Sequence, residues 1–71
     1  MPDVFLRTVV NALEVVMQVK QTTRSFLHRN YSINIDLINS LIDVGALYDD
    51  RRYISITNEG VRLHKLLDNI L

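Results

Sequence analysis

Two spacings of apolar residues alternate along the second half of this chain. From Asn34 to Val44, Leu37, Ile38, Leu41 and Ile42 recur at helical spacing, and Gly45 follows where a helix ends in a left-handed residue. Ala46-Leu47-Tyr48 and Tyr53-Ile54-Ser55-Ile56 then flank Asp49-Asp50-Arg51-Arg52, the pattern of a two-stranded hairpin with a solvated tip. Thr57 stands where it can cap a last helix formed by Val61 to Leu71.

The first half is patterned differently. Arg7, Asn11, Glu14 and Gln18 recur at helical period and form one narrow polar stripe on a helix that Pro2-Asp3 can open. The rest of that helix is mostly apolar: Phe5, Leu6, Val9, Val10, Leu13, Val16 and Met17, with Val4, Ala12, Val15 and Val19 beside them. Valine favours strands, but the polar residues at helical period decide for a helix. A helix on the surface of a monomer needs one apolar face, and this one carries more than a small domain is expected to bury alone. A second helix is predicted from a Thr22 or Thr23 cap to about Arg29, burying Phe26 and Leu27. Asn30-Tyr31-Ser32-Ile33 turns into the third helix, which Ser32 or Asn34 can cap. The predicted fold is mainly α with a small β-hairpin, in the order α-α-α-β-β-α of a winged helix-turn-helix, as one domain over residues 1–71.

Length and composition narrow the class. Seventy-one residues allow one small core, and without cysteine neither a disulfide framework nor a thiolate metal site can staple it. Such a chain gains from oligomerising. Polar residues interrupt every apolar run before it reaches membrane-spanning length, and the first helix lacks the features of a signal peptide, so a cytoplasmic protein without membrane association is expected. Eight basic and eight acidic residues cancel, whereas a nucleic-acid binder usually shows a basic excess. The distribution is uneven, however. No acid lies between Glu14 and Asp36, where Lys20, Arg24, Arg29 and His28 fall, and Arg51-Arg52 form a second basic cluster.

The run from Thr23 to Leu71 resembles the compact winged-helix regulators common in archaea and their viruses and plasmids. The resemblance rests on Thr23-Arg24 at a helix start, on Leu41-Ile42-Asp43-Val44-Gly45-Ala46-Leu47, and on Tyr53-Ile54-Ser55-Ile56-Thr57-Asn58-Glu59-Gly60 leading into the last helix. In the last motif each part has a mechanical role. Ile54 and Ile56 point to one face of the hairpin, Thr57 caps, and Gly60 lets the helix backbone approach the sheet. The resemblance implies sequence-specific binding of double-stranded DNA by a small transcriptional regulator.

The candidate site residues follow. The third helix would enter the major groove and present Asp36, Asn39, Ser40 and Asp43, with Asn34 at its leading end. Asparagine can make bidentate contacts to adenine and aspartate can accept from cytosine. Phosphate contacts fall to Thr23 and Arg24 at the anion-favouring start of the second helix, to His28 one turn later, and to Arg51 and Arg52 at the hairpin tip. Tyr48 and Tyr53 read as packing residues. Phe5, Ala12, Val15 and Val19, joined by Ile70 and Leu71, form an apolar stripe suited to a homodimer interface, each fully buried side chain contributing about 1.5–3 kcal/mol. Enzymatic chemistry has no support, because His28 and His64 are the only imidazoles and no phosphate loop or metal-spaced cluster accompanies them. No cofactor is expected. The expectation is a homodimeric DNA-binding regulator. The alternative is a winged-helix protein-interaction module that binds no nucleic acid, favoured by the zero net charge and the two acids on the third helix.

Overall fold

The computed structural model describes residues 3–71, so Pro2, read as the helix opener, lies outside the described residues. Its elements are α1 (Asp3–Val19), α2 (Arg24–Tyr31), α3 (Ile35–Asp43), β1 (Leu47–Asp49), β2 (Ile54–Ile56) and α4 (Asn58–Ile70). The fold is mainly helical with a small antiparallel hairpin, in the expected order α-α-α-β-β-α.

Each boundary has a local cause. α1 stops at Lys20, which takes a left-handed conformation (φ 72°) while its N–H still bonds Val16 O. Thr23 caps α2, its hydroxyl oxygen accepting the Phe26 N–H at 3.1 Å. α2 runs to Tyr31, two residues beyond the expected end, and Ser32 closes it in the left-handed region. The cap of α3 is therefore Asn34, whose Oδ1 accepts the Asp36 N–H at 2.7 Å. Gly45, at φ +86°, turns the chain from α3 into the hairpin as predicted. Thr57 caps α4 by accepting the Gly60 N–H at 3.0 Å, and its own hydroxyl donates to the Ala46 carbonyl. One residue thus fixes the start of α4 and the entry to β1.

The hairpin pairs Leu47 with Ile56, Tyr48 with Ser55 and Asp49 with Ile54. A third piece of backbone joins it: Thr22 N–H bonds Ile54 O at 3.0 Å and Ile54 N–H bonds Thr22 O at 2.7 Å. This bridge ties the α1–α2 connection to the hairpin, and a single paired residue leaves no periodic signal in sequence.

The core is one cluster threaded by α1. Leu13, Val16, Leu27 and Ile38 are fully buried, with Ala12, Leu41, Ala46, Leu47 and Ile54 almost so. α1 packs against α4 and β2, and its polar stripe of Arg7, Asn11, Glu14 and Gln18 is its exposed face. The expected surplus of apolar surface on α1 is largely absorbed inside the chain: Val9, Val10 and Ala12 are buried, and Val15 and Val19 are half-buried. Phe26, expected in the core, is 41% exposed and packs on Tyr31 instead, ring centroids 5.9 Å apart.

The two glycines serve different constraints. A β-carbon on Gly60 would strike the Ala46 carbonyl oxygen and lie 2.6 Å from Ile56 Cγ1, whereas at Gly45 it would meet nothing within 4 Å and only the positive φ is at stake. Gly60→Ala should therefore cost about 3 kcal/mol, by forcing α4 off the hairpin, and Gly45→Ala only about 1 kcal/mol. Urea denaturation of both variants checks the ordering; equal midpoints would show that α4 has room to move.

Candidate nucleic-acid interface

The residues expected to contact nucleic acid lie on α2, α3 and the hairpin, and a polar joint holds these three elements together. Arg24, in the first turn of α2, donates from Nε to Asn39 Oδ1 on α3 at 2.8 Å and from Nη1 to Asp49 Oδ2 on β1 at 2.9 Å. Asp49 can be reached because its register position opposite Ile54 places it on the same side of the strand as buried Leu47. The joint is partly open to solvent, with side-chain exposures of 39% for Arg24 and 24% for Asp49. Arg24 and Asn39 were expected in separate roles, on phosphate and on base. The structure brings them together, with Asn39 still exposed. Asn39 Oδ1 is engaged, so the unengaged donors on this amide are the Nδ2 hydrogens.

The hairpin tip follows from hydrogen bonds to its acids. Asp49 Oδ1 accepts the Arg51 N–H at 2.8 Å, and Asp50 Oδ1 accepts the N–H groups of Arg52 and Tyr53 at 2.9 and 2.7 Å. These bonds hold Arg51 at φ 80°, a left-handed conformation that costs a non-glycine residue about 1–2 kcal/mol. The backbone bond from Arg51 and the side-chain bond from Arg24 keep the Asp49 carboxyl below its ordinary range, and the Tyr53 and Arg52 bonds do the same for Asp50. With the carboxylates turned onto backbone N–H groups and Arg24, Arg51 and Arg52 are left exposed. Among the described residues neither guanidinium makes a hydrogen bond or ion pair.

The other expected contacts divide between capping and open surface. Thr23 is occupied as the α2 cap and Asn34 as the α3 cap. His28 Nδ1 lies 3.0 Å from Ile33 O, which requires the proton on Nδ1 and fixes the ring to the α2–α3 turn. Asp36, Ser40 and Asp43 line the exposed face of α3. Tyr48 and Tyr53 are not packing residues as expected: they are 59% and 47% exposed on the hairpin, at positions whose neighbours on the strands face inward. Of the expected dimer residues, Phe5 (64%) and Ile70 (66%) are exposed, while Ala12 (1%) is inside the chain's own core and is removed from any outer surface. Val4 and Leu66 join the exposed set. Leu66 was overlooked in sequence although it stands four residues before Ile70, on the same face of α4. His28 and His64 lie on different helices, and among the described residues no group of His, Asp and Glu gathers to hold a metal ion.

No family model, curated protein or solved structure matches this chain.

Both hairpin acids have folded-state pKa values below the ordinary 3.8, so their stabilisation is complete above that value and is lost as pH falls through the lowered ones. Thermal melts from pH 5 downward should show a gradual loss of stability below about pH 4. An Asp49→Asn variant should start lower and fall less steeply over the same range. An identical pH profile in the variant would mean that the joint adds nothing to stability.

Proposed function

We propose that this protein is a winged helix-turn-helix that binds double-stranded DNA as a small homodimeric transcriptional regulator in the cytoplasm. The observation that carries this reading is the hairpin tip. Its acids are bound to backbone N–H groups and to Arg24, and two arginines extend from it unpaired. Arginines without a bonded partner among the described residues suit phosphate oxygens or a narrow minor groove. The joint through Arg24 supports the reading in a second way, since it fixes the hairpin against α3, so that a hairpin on the backbone sets the depth of α3 in the groove. In this mechanism Arg51 and Arg52 act on phosphate, Asn39 and Ser40 meet base edges, and Arg24 orients them.

The homodimer rests on different surface from the stripe expected on α1. Leu66 and Ile70 stand one turn apart on α4, 60% and 66% exposed, and each contributes about 1.5–3 kcal/mol when fully buried. A two-fold dimer would match a palindromic site and double the two arginines.

A second reading has its own observation. α3 presents Asp36 and Asp43, both exposed, and Arg24 is unavailable to offset them toward phosphate. This favours a protein-interaction module that uses the same face without nucleic acid.

Arg51→Ala and Arg52→Ala should each weaken binding to every duplex alike and lower the salt dependence by about one unit per contact and copy. Fluorescence titrations against random and genomic duplex at low and moderate salt give both quantities. Absence of binding at low salt would remove the DNA reading and leave the interaction module.

Assembly is tested separately. Replacing Leu66 and Ile70 together with glutamate should give a folded monomer, because neither side chain is needed for the core. Sedimentation of the wild-type protein as a monomer at high micromolar concentration would remove the dimer.

A further inference from the structure

The first turns of α1 and the leading half of α3 enclose a groove of ≈ 370 Å³ lined by Phe5, Thr8, Asn34, Asp36, Leu37 and Ser40. That volume falls within the range of about 300–1,000 Å³ common for small-molecule sites. Its apolar surface comes from the 64%-exposed ring of Phe5 and from Leu37, which packs against the core behind it. Two of its polar side chains are already committed: Thr8 Oγ1 donates to Val4 O at 3.0 Å, and Asn34 Oδ1 holds the Asp36 N–H. The Asp36 carboxylate is different. Among the described residues it makes no hydrogen bond or ion pair, and neither lysine nor arginine lines the groove. Asp43, two turns along the exposed face of α3, adds to the negative field.

An aromatic face, an aliphatic wall and an unmatched carboxylate select by charge as well as shape. Phosphate is repelled. A second copy docking two-fold on this groove would bring its own Asp36 with it, so like charge opposes self-association here. A cation gains from the carboxylate, and the Phe5 ring on the same lining offers an aromatic surface to the body that carries the charge. We infer that this groove binds a small organic cation with an aromatic or branched aliphatic body. Asp36 and Ser40 also belong to the α3 face assigned to DNA, so a bound cation relieves the repulsion at Asp36 yet occupies the space the duplex would fill, and this steric exclusion makes it an inducer. That regulatory consequence rests on the proposed DNA reading; the binding site itself does not.

The test starts without DNA. The full chain is titrated with benzyltrimethylammonium, tetramethylammonium and benzyl alcohol, and backbone amide resonances are followed by NMR. The aromatic cation should saturate shifts confined to residues 4–8 and 34–40 and bind about five-fold tighter than either partial probe. Asp36→Asn and Phe5→Leu should each weaken it by about five-fold, with the remaining spectrum unchanged because both side chains are exposed. Equal binding of benzyl alcohol, shifts located elsewhere, affinity indifferent to both variants, or no saturable shift at millimolar concentration would each overturn the site. In a duplex-retention assay the same cation should release DNA from the wild type and not from Asp36→Asn. Retention of DNA by the cation-saturated wild type would overturn the inducer role. A protein that binds the cation and no duplex keeps the site and loses only the DNA reading.

Discussion

Burial of α1 is the constraint on which the rest of this structure depends. With 71 residues and no cysteine, stability must come from packing, and the longest helix supplies the axis of that packing. Leu13 and Val16 have no exposure and Ala12 has 1%. α4 and β2 pack directly against this helix, and the half-buried Val15 packs against the same cluster. Beyond its first turns, which leave Val4, Phe5 and Thr8 exposed, the stripe of Arg7, Asn11, Glu14 and Gln18 is the face of this helix that meets solvent. A helix used so fully inside its own domain has little left to offer a partner. The unspent apolar surface therefore sits at the ends: Val4 and Phe5 where α1 overhangs the core, and Leu66 and Ile70 late in α4.

The second organising interaction is polar. Arg24 reaches Asn39 and Asp49 across three elements that the core alone would hold more loosely. Ion pairs this open to solvent contribute little to stability. What the joint supplies is direction: a planar guanidinium with two fixed partners sets the angle between α2, α3 and the hairpin. Arginine at the start of a helix reads equally well as an anion contact, and nothing local separates the two roles. The deciding fact is the hairpin register, which places Asp49 on the inner side of β1.

That distinction marks how far the sequence could be read. Helix periodicity, the Gly45 stop, the Thr23 and Thr57 caps and the hairpin were legible because each is written in neighbouring residues. Gly60 was legible because the chain on both sides announces a close approach. What escaped was long-range or one residue wide: the Thr22–Ile54 bridge, the Arg24 joint, and the groove between Phe5 and α3. Ser32 was read as a cap for α3 and instead closes α2 in the left-handed region, since serine suits either role and only the following turn chooses. The tyrosines and Phe26 were assigned inward from their type, yet side-chain direction in a short hairpin depends on register, and on the short α2 it is Leu27 that takes the buried position. Of the apolar stripe read on α1, Ala12 is buried and Val15 and Val19 are half-buried for a quantitative reason, because α1 is covered from more sides than one apolar face requires.

Charge is where composition misleads most. A net charge of zero describes the far field, whereas a ligand meets local groups at distances shorter than the roughly 8–10 Å screening length. On this surface the signs are sorted. At the hairpin tip the carboxylates are wrapped in backbone N–H donors, whose dipoles offset part of their field, and the arginines stand outward. On α3, Asp36 and Asp43 stand outward with no cation bonded to them among the described residues. The two regions lie on elements that Arg24 locks together, so neither charge can be presented without the other. A polyanion approaching the hairpin would be drawn by one region and resisted by the next, which penalises loose electrostatic binding. The carboxylates that oppose a polyanion are also those available to a cation, so a single arrangement of charge on α3 sets which sign of ligand this face resists and which it accepts.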